Sequence, residues 1–101
     1  MTIEEIRSDL REIRYYYSME KLFQPSDKAL APVAIKNKVG KYNLAIKDAP
    51  AKLYVLYMSL YVNNCTQAML AEEWGYCNDY IKQLNKKLCE FFLEKFNKDE
   101  N

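Results

Sequence analysis

The chain has 101 residues, half of them hydrophobic, which is enough for one modest core and too few for a second. Fifteen Lys plus Arg against fourteen Asp plus Glu leave a net charge of +1, which excludes a general polycation for nucleic acid and an acidic mimic of it alike. There is no histidine, and Cys65, Cys77 and Cys89 form no Cys-x-x-Cys pair, so no metal site and no cofactor is expected.

The start, MTIEEIRSDL, lacks the basic stretch and apolar run of a signal peptide. The cysteines are therefore expected as reduced thiols in a cytoplasm. The longest apolar segment, 53–62, is ten residues, about half of the ~20 needed to cross a bilayer. No membrane association is expected.

Thr2 and Glu5 form a T-x-x-E capping box that opens a first helix, expected to reach about Phe23. Ile3, Ile6, Leu10, Ile13 and Tyr17 follow at spacings of three and four, the rhythm that packs one helix against another. Two partners fit that stripe, the segment 33–48 of the same chain or a second copy in a homodimer. Arg7, Arg11 and Arg14 with Glu4, Asp9 and Glu12 read as a solvated face with helical ion pairs. Tyr15, Tyr16 and Tyr17 point about 100° apart, so they cannot share one core face and are candidates for a protein contact.

Gln24 to Lys28 is a break at Pro25. A second helix fits 33–48, with Ile35, Val39, Tyr42 and Ile46 inward. Its Lys36, Lys38, Lys41 and Lys47 read either as a wet face or as a phosphate-facing patch. Pro50 sits where a first turn tolerates proline, and Leu53, Leu56, Tyr57 and Leu60 make the next buried stripe, braced by a ladder of Tyr54, Tyr57 and Tyr61. Asn63 and Asn64 are turn residues, and Thr66 can cap the helix that follows.

From Thr66 to Leu88 the spacing is that of a helix, a three-residue turn and a second helix. Leu70, Ala71 and Trp74 share one face, Gly75 can end the helix in a left-handed conformation, and Ile81, Leu84 and Leu88 resume the stripe. The last helix is expected to open at Cys77 or Asn78 and run to about Phe96, leaving a polar tail. These elements define an all-α fold of about five helices in a single domain. Residues 1–48 form an N-terminal helical segment, 49–96 a helix-turn-helix unit packed on it, and 97–101 the tail.

Residues 49–92, with NNCTQAMLAEEWGY and NDYIKQLNKKL at their centre, resemble the promoter-reading region four of bacterial sigma factors. With the upstream EIRYYYS and KYNLAIKDAP, nearly the whole chain is similar to small phage and prophage proteins of Firmicutes that are regarded as transcription regulators. The resemblance implies a DNA-binding regulator in a bacterial host cytoplasm, working on double-stranded DNA alone or with RNA polymerase. It places Leu70, Ala71, Trp74, Gly75, Tyr76, Ile81 and Leu84 in the core. Cys77, Asn78, Asp79, Lys82, Gln83 and Lys86 it places against DNA.

The amides of Asn78 and Gln83 suit adenine, Lys82, Lys86 and Lys87 suit phosphate or guanine, and Gln67 could clamp a backbone phosphate. The charge is less favourable. Residues 1–49 hold nine basic and seven acidic side chains (+2), whereas 50–101 hold six and seven (−1). A second reading is therefore a protein-docking module, an inhibitor or anti-defence factor gripping a host or phage protein through Tyr15 to Tyr17 and the stripe Ile3, Ile6, Leu10 and Ile13. A third is a small terminase-like assembly protein. No nucleophile-base pair and no phosphate-cradling glycine loop is present, so enzymatic activity is not expected.

Overall fold

The computed structural model describes residues 1–20 and 33–99. These residues contain five α-helices and no strand: α1 (Ile3–Glu20), α2 (Val33–Ala45), α3 (Ala51–Tyr57), α4 (Gln67–Trp74) and α5 (Asn78–Asp99). The chain is all-α, as its periodicity indicates. A 3-10 turn, Ile46–Asp48, extends α2, and a π-turn, Met58–Val62, extends α3. The break at 24–28 and the end near Phe23 lie outside the described residues.

α1 begins where Thr2 accepts a hydrogen bond from the Glu5 amide at 3.2 Å. The return half of the box differs from expectation. Glu5 accepts from the Thr2 hydroxyl, at 3.4 Å, instead of from a backbone amide. Along the helix, Ile6, Leu10 and Ile13 are buried, with Ile3 and Tyr17 packed at the edge. This stripe is used up inside the chain, against α2, the π-turn and α5.

α2 buries Val39, Tyr42 and Ala45, and Ile46 follows in its 3-10 turn. Pro50 caps α3 from an extended conformation, one residue before the helix proper. Leu53, Leu56, Tyr57 and Leu60 all point inward. The tyrosine ladder is shorter than its spacing suggests. Tyr57 and Tyr61 are buried with rings 5.9 Å apart, while Tyr54 is exposed, because the core reaches only one flank of this short helix.

α5 is the longest helix and touches the other four. Ile81, Leu84, Leu88, Phe92 and Phe96 form its buried side. At its C-terminal half Tyr42 meets Phe92 and Phe96 edge to face, at 4.8 and 4.9 Å between ring centres, and Tyr57 meets Phe92 at 5.7 Å. The expected tail at 97–101 begins instead as helix, which runs through Asp99, and Asn97 accepts a hydrogen bond from the Met1 ammonium at 3.1 Å. Polar composition did not prevent this, because a helix needs only one packed side.

Two polar networks tie the helices together, and both depart from the reading of α1 as a solvated ion-paired face. Arg14 reaches across to the end of the π-turn, donating to the carbonyls of Leu60, Asn64 and Cys65 at 3.4, 3.1 and 3.1 Å. These are acceptors that a helix end leaves without partners. Asn64, in a left-handed conformation at φ 60°, returns a bond from its amide to the Arg14 carbonyl at 2.9 Å. Asp9 and Glu12 pair with Lys38 of α2 at 3.0 and 2.7 Å, and Asp9 also accepts from the Tyr42 hydroxyl at 2.7 Å. Lys38 is therefore a strut, not part of a phosphate-facing patch. Asn43 completes the set between Tyr17 and Tyr57.

Candidate functional site

The α4–turn–α5 unit is built by three local devices. Thr66, with an extended backbone, accepts from the Met69 amide at 3.0 Å and so starts α4. Gly75 ends it at φ 75°, where a Cβ would strain the backbone. The turn is then closed by Tyr76 N–H to the Ala71 carbonyl at 2.9 Å and Gly75 N–H to the Glu72 carbonyl at 3.3 Å, the paired bonds of a Schellman motif. The Cys77 carbonyl accepts from Tyr80 and Ile81, and α5 begins at Asn78. Leu70, Ala71, Ile81 and Leu84 are buried between the helices, and Trp74 packs at the edge.

Opposite that buried side, α5 presents Asn78, Asp79, Lys82, Gln83, Lys86 and Lys87, all exposed, with Cys77 exposed just before them. Gln67 is half-buried at the first position of α4. From Asn78 to Lys87 the rise is about 13 Å, so these side chains occupy two and a half turns of one helix face. Among the described residues they share no hydrogen bond or ion pair with the rest of the chain. The face is mixed in charge, with Asp79 and Glu90 beside three lysines and no arginine.

Tyr76, expected in the core, is 43 % exposed. It follows a left-handed glycine that turns the chain outward, and its ring lies against Tyr80 at 4.5 Å between centres. Lys52 of α3 holds its Nζ 5.0 Å from both ring centres and donates to the Tyr80 hydroxyl at 2.7 Å. That bond raises the Lys52 pKa above its ordinary value. Sequence reasoning missed this cluster. Its only local signal is a tyrosine pair four apart across the start of α5, and Lys52 lies 28 residues from Tyr80.

The protein-interaction candidates separate. Tyr15 is 66 % exposed, whereas Tyr16 and Tyr17 are half-buried with their rings edge to face at 5.2 Å. Ile6, Leu10 and Ile13 are enclosed by the chain itself, which corrects their assignment to a partner surface, and Ile3 is packed on the same core. The outer side of α4 instead shows Ala68, Met69, Glu72 and Glu73, with Met69 58 % exposed. Burial pushes the Cys89 thiol up in pKa, away from the reactive thiolate.

Among the described residues, no helix is long and apolar enough to cross a membrane. No protein-family model, curated protein or solved structure matches this chain.

Proposed function

We propose that this chain is a sequence-specific DNA-binding transcription regulator of the phage type, with α4 and α5 acting as a helix-turn-helix. The first turns of α5 lie in the major groove. The observation that carries this reading is the outer face of α5, where two amides and three lysines stand exposed and unused by the fold. Asn78 and Gln83 offer the paired donor and acceptor that adenine matches, and Lys82, Lys86 and Lys87 supply point charges for phosphate or guanine. A bare helix face of this width fits a groove about 12 Å wide.

Selection of duplexes from a randomised pool by the purified protein tests it. The expected outcome is enrichment of one motif bound in a salt-dependent way, with Lys82→Glu plus Lys86→Glu abolishing binding while the helical content is unchanged. No enrichment at low salt by a folded protein would end the proposal.

A second reading is favoured by the outer side of α4. In a helix-turn-helix that helix crosses the backbone, yet here it carries Glu72, Glu73 and exposed Met69. An acidic side with an apolar tip suits a protein, such as RNA polymerase or another host or phage protein, better than it suits phosphates. The two uses are compatible if α5 reads DNA while α4 meets protein. Replacing Met69 and Glu73 together by Lys should then leave duplex affinity in place and remove the protein contact. Homodimerisation through α1 is not part of this reading, because its stripe is enclosed. Light scattering should give a 12.0 kDa species.

A further inference from the structure

We propose that Lys52 and Tyr80 form a phosphate clamp at the edge of the α5 reading face, with Tyr76 fixing the ammonium in place. The inference rests on the DNA reading above and names a contact that the resemblance to sigma region four does not supply. Lys52 belongs to α3, outside the α4–turn–α5 unit altogether.

The chemistry follows from who donates. Lys52 Nζ gives one of its three protons to the Tyr80 oxygen at 2.7 Å. That oxygen is therefore occupied as an acceptor from one side, and its own hydroxyl proton is directed elsewhere. A second proton is drawn to the Tyr76 phenol, which leaves one N–H of an exposed lysine and one O–H side by side at adjacent heavy atoms. A phosphate presents two oxygens to such a pair, and one of the bonds is charge-assisted.

The clamp is preformed. Nζ is bonded at the hydroxyl end of Tyr80 and lies 5.0 Å from the Tyr76 ring centre, so the two phenols hold the cation without neutralising it. A lysine normally loses much rotamer freedom when it captures a phosphate, and here most of that ordering is already present in the free protein. A carboxylate partner would have done the same and cancelled the charge. The use of two phenol rings leaves the positive charge available.

Position agrees with the role. Tyr80 stands in the first turn of α5, and Gln83 and Lys87 follow it at three and seven residues, on the same flank of the helix. A strand whose bases meet Gln83 would run its backbone past this flank. The neighbouring Asp79 carboxylate leaves the helix about 100° away.

The test uses the full chain and a fluorescent duplex enriched by the wild-type protein, with affinity read by anisotropy across a salt series. Lys52→Met should bind roughly tenfold more weakly, the loss of one hydrogen bond to a charged group. Its slope of log affinity on log salt should be shallower by about 0.9, one phosphate contact. Lys52→Arg should keep the slope, and Tyr80→Phe should weaken binding at an unchanged thermal midpoint. A tie between α3 and α5 with no part in DNA binding would instead lower the thermal midpoint of Lys52→Met and leave the slope at its wild-type value, which overturns the clamp. If Lys82→Glu plus Lys86→Glu abolishes binding while Lys52→Met binds like wild type, the clamp alone falls. If the wild-type protein enriches no duplex, the clamp and the DNA reading fall together.

Discussion

Between Leu88 and Phe96, α5 is gripped by an aromatic box of Tyr42, Tyr57, Phe92 and Phe96, and Lys95 is tied to Asp48 at 2.7 Å. Between Asn78 and Lys87 the same helix buries Ile81 and Leu84 on one side and leaves six polar side chains on the other with no partner in the described chain. One backbone and one helical propensity serve both halves. The difference lies in what surrounds them, and it separates residues that the fold holds from residues that have no partner in the described chain. Asn85, in the same stretch but on its inner side, is bonded to the Tyr61 hydroxyl, as Asp9 of α1 is to that of Tyr42.

The fold-held half of α5 depends most on Phe92. Truncation to Ala removes the ring that meets Tyr42, Tyr57 and Phe96, and should lower unfolding stability by about 4 kcal/mol in urea titration. Loss below about 1 kcal/mol would mean the box is not the centre of the core. Next is Arg14→Ala, which strands three carbonyls at the end of the π-turn and should cost about 2–3 kcal/mol. Arg14→Lys should recover little, since one ammonium cannot span the three acceptors that a planar guanidinium reaches.

The buried tyrosines sharpen the contrast through pH. Burial holds Tyr42, Tyr57 and Tyr61 above the phenol value of 10.0, Tyr61 at about 12. An acid whose folded pKa is raised keeps its proton longer when folded, so the unfolded chain ionises first. The contribution is whole below pH 10 and lost as pH rises, for Tyr61 until about 12. The fall should be about 1 kcal/mol per group per pH unit in that window. Tyrosinate absorbance from these three buried groups should therefore rise together with unfolding.

Much of this architecture is legible because it is local. The Thr2 cap, the α3 stripe, the Thr66 cap, the left-handed Gly75 and the inward Ile81, Leu84 and Leu88 are all set by partners within a turn or two. Arg14, Lys38 and Lys52 are different. Their partners lie 26 to 51 residues away, and periodicity says only that such residues avoid the core, not which acceptor they meet across it. Tyr76 shows the same limit from the other side. Its place after the turn looks apolar and buried, yet the Schellman geometry turns it out toward Lys52. The exposed face of α5 was legible as a set of positions, while the Lys52 contact at its edge depended on an element from another part of the chain.

Gly75→Ala probes the joint between the two helices. At φ 75° an added Cβ meets nothing within 4 Å, so the cost is confined to the backbone, about 1 kcal/mol. Gly75→Asn should cost less, because asparagine tolerates this conformation.

The smallest expected effect on stability is also the one that tests the comparison most directly. Lys82→Gln plus Lys86→Gln alters two exposed side chains that have no partner in the described chain, at positions where glutamine is nearly as good a helix former as lysine. The change should stay within about 0.5 kcal/mol. Glutamate at the same places would set a like charge four residues before Glu90 and cost a few tenths of a kcal/mol for reasons unrelated to function. Glutamine therefore separates the two questions cleanly. A neutral double variant as stable as wild type, with weakened duplex binding, would mean these lysines serve a ligand. A clear loss of stability would mean they hold the fold, and the contrast between the halves of α5 would disappear.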